Sequence, residues 1–215
     1  SSTSRGLGDV YKRQIKTNDH ILVPDSVYGS TRRFVKEEFP RLNIDYQFYN
    51  SRYIDNLETL IRENTSAIYI ETPGTYTFEI IDIEEVIRVC KKYKLKSIID
   101  NTWATALYFN PLEFGVDIVI EAVTKYISGH SDIMMGAVVA NDENLINLQR
   151  WTRNSGTYVS PDDVYLSLRG LRTLPLRLKQ SSENSFAIAK YLETKKEVKK
   201  VIHPALTQHL SLIHI

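Results

Sequence analysis

Short apolar runs alternate along the chain with segments in which apolar positions return every three or four residues. The runs predict buried strands and the periodic segments predict helices, which together give an α/β protein whose sheet is mostly parallel. Residues 20–24 (HILVP) read as a strand and 30–42 as a helix closed near Pro40. A second strand is predicted at 45–50, then a helix at 55–64 with Leu57, Leu60 and Ile61 on one face. A third, buried strand starts at Ser66 and is ended by Pro73 and Gly74; the helix at 83–94 places Ile83, Val86, Ile87 and Cys90 together. The fourth and fifth strands are read at 96–103 and 117–126, and 136–142 predicts another, paired as a hairpin with its neighbour.

Beyond residue 142 the pattern turns helical, at 142–152, at 161–169 and from Arg172 to Lys195, where Leu178, Ser185, Ala189 and Leu192 line one side. Residues 198–204 then predict the start of a strand. The expected organisation is one large domain over 15–170, with 171–207 as a connecting helix and the start of a C-terminal domain. Residues 1–14 and 208–215 carry no clear period and abut their neighbours abruptly, so a non-native leader and tail are expected there.

Composition narrows the classes of function. With 42% hydrophobic and 25% charged residues the chain is of the soluble globular type, and a net charge of +1 leaves no electrostatic footprint for nucleic acid or an anionic membrane. A small-molecule or protein partner is expected instead. Cys90 is the single cysteine, so no internal disulfide is possible and a cytoplasmic setting is expected. No apolar run approaches the roughly 18–20 residues that span a bilayer.

In open α/β sheets ligands gather at the carboxyl ends of strands. Three polar positions follow buried runs: Glu71 with Thr72 and Thr75, then Asp100, then Lys125. An Asp and a Lys at neighbouring strand ends read equally well as a structural ion pair, and spacing alone does not decide. His130 has no His, Cys or carboxylate at ligand spacing, so a structural hydrogen-bonding role and no metal site are expected. Arg169, Arg172 and Arg177 read as a solvated or subunit-facing surface.

The strings DNTWA (100–104), VTKYISGHSDIMMG (123–136) and RGLRTLPLRLKQSSENS (169–185), with DSVYGSTR (25–32) and ETPGTYTFEIIDI (71–83), resemble the Cys/Met-metabolism family of fold-type I pyridoxal-phosphate enzymes. The resemblance runs over about residues 20–207. It implies a three-layer α/β/α sandwich with a mainly parallel sheet, and pyridoxal 5'-phosphate as cofactor. It makes Lys125 the Schiff-base lysine that also moves the substrate α-proton. Asp100 becomes the partner of the cofactor ring nitrogen and Tyr28 the aromatic stacked on the ring, assisting proton handling. Thr124 matches a phosphate ligand. Thr102 either orients Asp100 and touches the ring or caps the backbone.

Two positions depart from the wider family: Ala122 stands where most relatives have Ser, and Thr75 where they have Asn. The first removes a phosphate contact, whereas the Thr75 hydroxyl still suits the cofactor's ring oxygen. Both departures, with ETPGT, DNTWA and VIHPAL, resemble the bacterial cystathionine β-lyase branch. That implies β-elimination of L-cystathionine to homocysteine, pyruvate and ammonia in methionine biosynthesis, with cysteine as a second substrate. γ-Synthase or γ-lyase chemistry is the alternative within the family. The family's other phosphate contacts and its substrate-carboxylate Arg come from segments not seen in this sequence. Low activity of this chain alone is therefore expected, or a bare cofactor-binding module, and the resemblance implies a homodimer or homotetramer for the full-length protein.

Overall fold

In the computed structural model, which describes residues 15–206, the apolar runs pair edge to edge in one six-stranded sheet. Its strands are β1 (His20–Pro24), β2 (Asp45–Tyr49), β3 (Thr65–Glu71), β4 (Lys96–Asp100), β5 (Ile118–Glu121) and β6 (Ala137–Ala140), in the order β2-β1-β3-β4-β5-β6. The first five are parallel; β6 runs antiparallel to β5, with Ile118 opposite Ala140 and Glu121 opposite Ala137. The helices are α1 (Gly29–Arg41), α2 (Ile83–Tyr93), α3 (Thr105–Tyr108), α4 (Asp142–Asn154), α5 (Pro161–Leu171) and α6 (Leu174–Glu193). The expected leader and tail lie outside the described residues.

Successive strand residues point to opposite faces, and both faces are covered. Ile21, Val23, Tyr69, Ile98 and Ile120 cluster with Val35 and Phe39 of α1. Leu22, Ile68, Ile70, Ile99 and Val119 cluster with Val86, Ile87, Val89 and Cys90 of α2. The sheet is thus the middle of three layers, as expected. Burying one such side chain contributes about 1.5–3 kcal/mol, against about 1 kcal/mol at most for an exposed ion pair such as Arg41–Glu38, so the two apolar faces hold the fold. Helix α2 has clear local causes. The Asp82 carboxylate accepts from the Glu85 N–H at its start, and Lys94 ends it in the left-handed region at φ 56°.

Three expectations are corrected. The helix read at 55–64 is only a 3-10 segment, Ile54–Leu60, because Arg62 and Thr65 form a tight turn that leads into β3. Strand β5 stops at Glu121 instead of running to Tyr126, since the Ala122 N–H donates to the Thr102 hydroxyl at 2.8 Å rather than to a strand. Residues 198–204 form no strand; among the described residues they meet no sheet edge, and His203 instead contacts the Ser185 hydroxyl through Nε2 at 2.8 Å.

Parallel strands end on the same side. The loops after β1, β3, β4 and β5 therefore open onto one edge, and these loops carry the residues singled out above.

Candidate active site

One cleft lies over that edge, and Tyr28, Thr75, Asp100, Thr102, Thr124 and Lys125 all line it. Each is brought there by a strand terminus. Tyr28 ends the turn after β1 and precedes α1; Thr75 follows β3; Asp100 is the last residue of β4, and Thr102 lies just past it. Thr124 and Lys125 sit in the run of turns after β5. There the Lys125 N–H donates to the Ala122 carbonyl at 2.9 Å, and the Gly129 N–H donates to the Lys125 carbonyl at 2.9 Å. The Lys125 side chain is exposed in the cleft.

The floor is rich in carboxyls. Glu71 and Asp100 are paired in register on neighbouring strands, and Glu121 ends the next one. Burial pushes the Asp100 carboxyl above its usual range, opposed by hydrogen bonds from Thr102. Burial likewise raises Glu121, while the Asn101 amide, 3.3 Å from Oε1, pulls the other way. Glu71 is raised furthest, to about 7, first by burial and then by the negative charge of Asp100. It accepts the Tyr28 N–H at 2.9 Å and the Thr75 hydroxyl at 2.5 Å. Glu71 and Asp100, desolvated and side by side, favour a cation at the cleft floor.

The hydroxyls are already oriented. Thr102 takes the Ala122 N–H on its oxygen and donates its own backbone N–H to Asp100 Oδ1 at 3.0 Å, so it both caps the backbone and orients Asp100. Thr124 donates to the Met135 carbonyl at 3.2 Å and accepts the Met135 N–H at 2.9 Å. His130 meets the Ser128 carbonyl through Nδ1 at 2.6 Å, and no cluster of metal-ligating side chains occurs among the described residues.

Arg177 corrects the reading of a solvated arginine surface. It is partly buried, and its guanidinium donates to the carbonyls of Tyr126 at 2.8 Å, Ile127 at 3.3 Å and Gly170 at 2.8 Å. Nε donates to the Thr173 hydroxyl at 2.9 Å. Arg169 does lie at the surface, where it pairs with Asp132 at 3.2 Å. The role of Arg177 had no sequence signal, because its partners are mostly backbone oxygens. Glu71 did have one, as a polar residue ending a buried run, but the pattern gave it no task.

A family model described as "Cys/Met metabolism PLP-dependent enzyme" matches residues 4–212. The chain belongs to that family. Among its relatives, a putative cystathionine beta-lyase of Rhizobium johnstonii is 45% identical over 192 residues, covering 89% of this chain and 48% of the relative. An L-alanine/L-glutamate racemase of Wolbachia pipientis is 43% identical over 194 residues, covering 90% of this chain and 48% of the relative. Cystathionine gamma-lyase from Lactobacillus plantarum, solved with L-serine, superposes with a TM-score of 0.94 at 30% identity, over 99% of this chain and 56% of that one. The chain spans about half the length of these relatives.

The family's cofactor is pyridoxal 5'-phosphate, and the donor set fits it. The exposed Lys125 amine suits its aldehyde, the carboxyl floor suits a protonated ring nitrogen, and Tyr28 offers an aromatic face. Among the described residues no helix is long and apolar enough to cross a membrane.

Proposed function

We propose that the full-length protein is a carbon–sulfur lyase that converts L-cystathionine and water to homocysteine, pyruvate and ammonia. The observation that carries this reading is the meeting of Lys125 and Asp100 in one cleft at the carboxyl ends of β4 and β5. Bound pyridoxal phosphate supplies an electron sink for charge developing at the substrate α-carbon. Lys125 would hold the cofactor through its amine, and the free amine would take the substrate α-proton. Asp100, oriented by the Thr102 N–H, keeps the ring nitrogen protonated through a charge-assisted hydrogen bond. Tyr28 would offer its aromatic face to the ring and the Thr75 hydroxyl would stand near the ring oxygen, while Thr124 would bond the phosphate by turning its hydroxyl proton from the Met135 carbonyl.

The lyase direction is supported by the ETPGT and DNTWA strings and by relatives named as cystathionine beta-lyases. The reading includes a cofactor-binding domain at 15–170, a connecting segment from 171, a homodimeric or homotetrameric assembly and a cytoplasmic setting. The 43% identity to a racemase favours a second reading, in which the proton removed by Lys125 is returned to the α-carbon without loss of a leaving group.

The test is product analysis of the full-length protein loaded with pyridoxal phosphate. Homocysteine with pyruvate from L-cystathionine supports the lyase, and cysteine with 2-oxobutyrate transfers the reading to γ-chemistry. D-Alanine from L-alanine, with cystathionine untouched, replaces it with racemisation. No turnover in any assay leaves only a cofactor-binding module.

A further inference from the structure

Glu71 is the last residue of β3, 7% exposed and in register with Asp100. A carboxyl so buried is costly unless its oxygens are occupied, and here both are. Oε1 accepts the Thr75 hydroxyl and Oε2 accepts the Tyr28 N–H, so the group holds one partner from each of two loops. The same loops meet again where the Thr75 N–H donates to the Ser26 carbonyl at 2.9 Å. At Gly74 an added Cβ would stand 2.5 Å from the Ser26 hydroxyl oxygen, so only a glycine allows this approach. A hydroxyl has a single proton. Thr75 points that proton at Glu71, which fixes where its oxygen stands.

We propose that Glu71 is a positioning residue for the cofactor: it seats the Tyr28 turn and fixes the Thr75 hydroxyl in place at the cleft edge beside Asp100. The inference rests on the reading of this cleft as the pyridoxal-phosphate site. It adds to that reading a residue that touches the cofactor only through others. Glutamine at position 71 would keep the size but replace one acceptor oxygen with a donor, so one of the two hydrogen bonds would be lost.

The experiment is a double-mutant cycle on pyridoxal-phosphate affinity, measured by absorbance titration of the full-length protein, with urea midpoints of the cofactor-free forms alongside. Glu71→Gln and Thr75→Val should each weaken binding roughly tenfold, as for a lost hydrogen bond to a charged group. The double variant should be no weaker than Glu71→Gln alone, because Thr75 contributes only as Glu71 holds it. Independent losses that multiply to roughly a hundredfold overturn the proposal. So does a Glu71→Gln protein that loses only stability and binds like the wild type. If Glu71→Gln fails to fold, Thr75→Ser carries the test: wild-type affinity supports the proposal, and affinity as low as that of the valine overturns it. A wild-type protein in which borohydride fixes no label on Lys125 overturns the cleft reading itself, and this inference with it.

Discussion

The Arg177 guanidinium donates to the Tyr126 carbonyl at 2.8 Å, one residue beyond Lys125 in the chain. Helix α6 thereby holds the turns that present Lys125, through the main-chain oxygens of Tyr126 and Ile127. Arg177→Ala should cost about 2–4 kcal/mol, because a charged donor is lost and carbonyls are left unsatisfied. Arg177→Lys should recover part of this, since an ammonium cannot match the planar fork. Urea unfolding of the two variants checks the ranking, and equal midpoints for alanine and wild type would refute the clamp.

Lys125 lies exposed in the cleft. Lys125→Ala should therefore change stability by no more than about 0.5 kcal/mol while abolishing borohydride-fixed labelling by pyridoxal phosphate. Peptide mapping decides the point. Undiminished labelling in the variant would move the attachment site to another lysine.

Two buried groups give opposite pH dependences. Glu71 has its carboxyl raised from 4.5 to about 7, so the native state binds more protons than the unfolded chain between these values. Its contribution is present at low pH and is lost as pH rises through about 7. His20, fully buried at the start of β1, is lowered from 6.5 to about 4, first by burial and then by the Arg62 charge. Its contribution is present above about 6.5 and is lost as pH falls toward 4. The slopes oppose each other across the shared window. Glu71→Gln should unmask a fall of about 1–3 kcal/mol on acidification, and His20→Asn a similar fall on alkalinisation. Urea midpoints from pH 4.5 to 7.5 test this, and parallel profiles in all three proteins would contradict it.

Gly170 sits inside α5 where an added Cβ would come within 2.2 Å of the Ser128 carbonyl oxygen and 2.4 Å of that of Ile127. Both obstacles are backbone. Gly170→Ala should destabilise by about 2–3 kcal/mol despite the better helix propensity of alanine, which is worth about 1 kcal/mol the other way. A thermal midpoint at or above the wild-type value would show that α5 can shift freely from the Lys125 segment.

Where a pattern is made by local spacing, it was legible. The face of α2, with Val86, Ile87 and Cys90, follows from period alone, and so do the buried runs of β1, β3 and β4. Polar residues ending those runs mark the cleft edge in the sequence itself. What failed depended on partners far away in sequence. Ile118 to Val123 reads as one apolar run broken only by a glutamate, yet the strand ends at Glu121 because a hydroxyl twenty residues earlier takes the next N–H. Arg177 looked like any surface arginine, since its clamp is made with carbonyls about fifty residues upstream.

Tyr28, Thr75 and Lys125 belong to three loops and Asp100 ends the strand that opens a fourth, and each reaches the cleft only when its own strand has found its neighbours in a parallel ladder. Parallel pairing closes long loops, so such contacts form slowly and late. The cleft is consequently among the last parts of the molecule to exist during folding. A ligand that needs all four loops recognises only chains that have completed the sheet, and by mass action it withdraws them from the unfolded pool. Cofactor supply would then govern how much of the newly made chain persists as well as how fast it works.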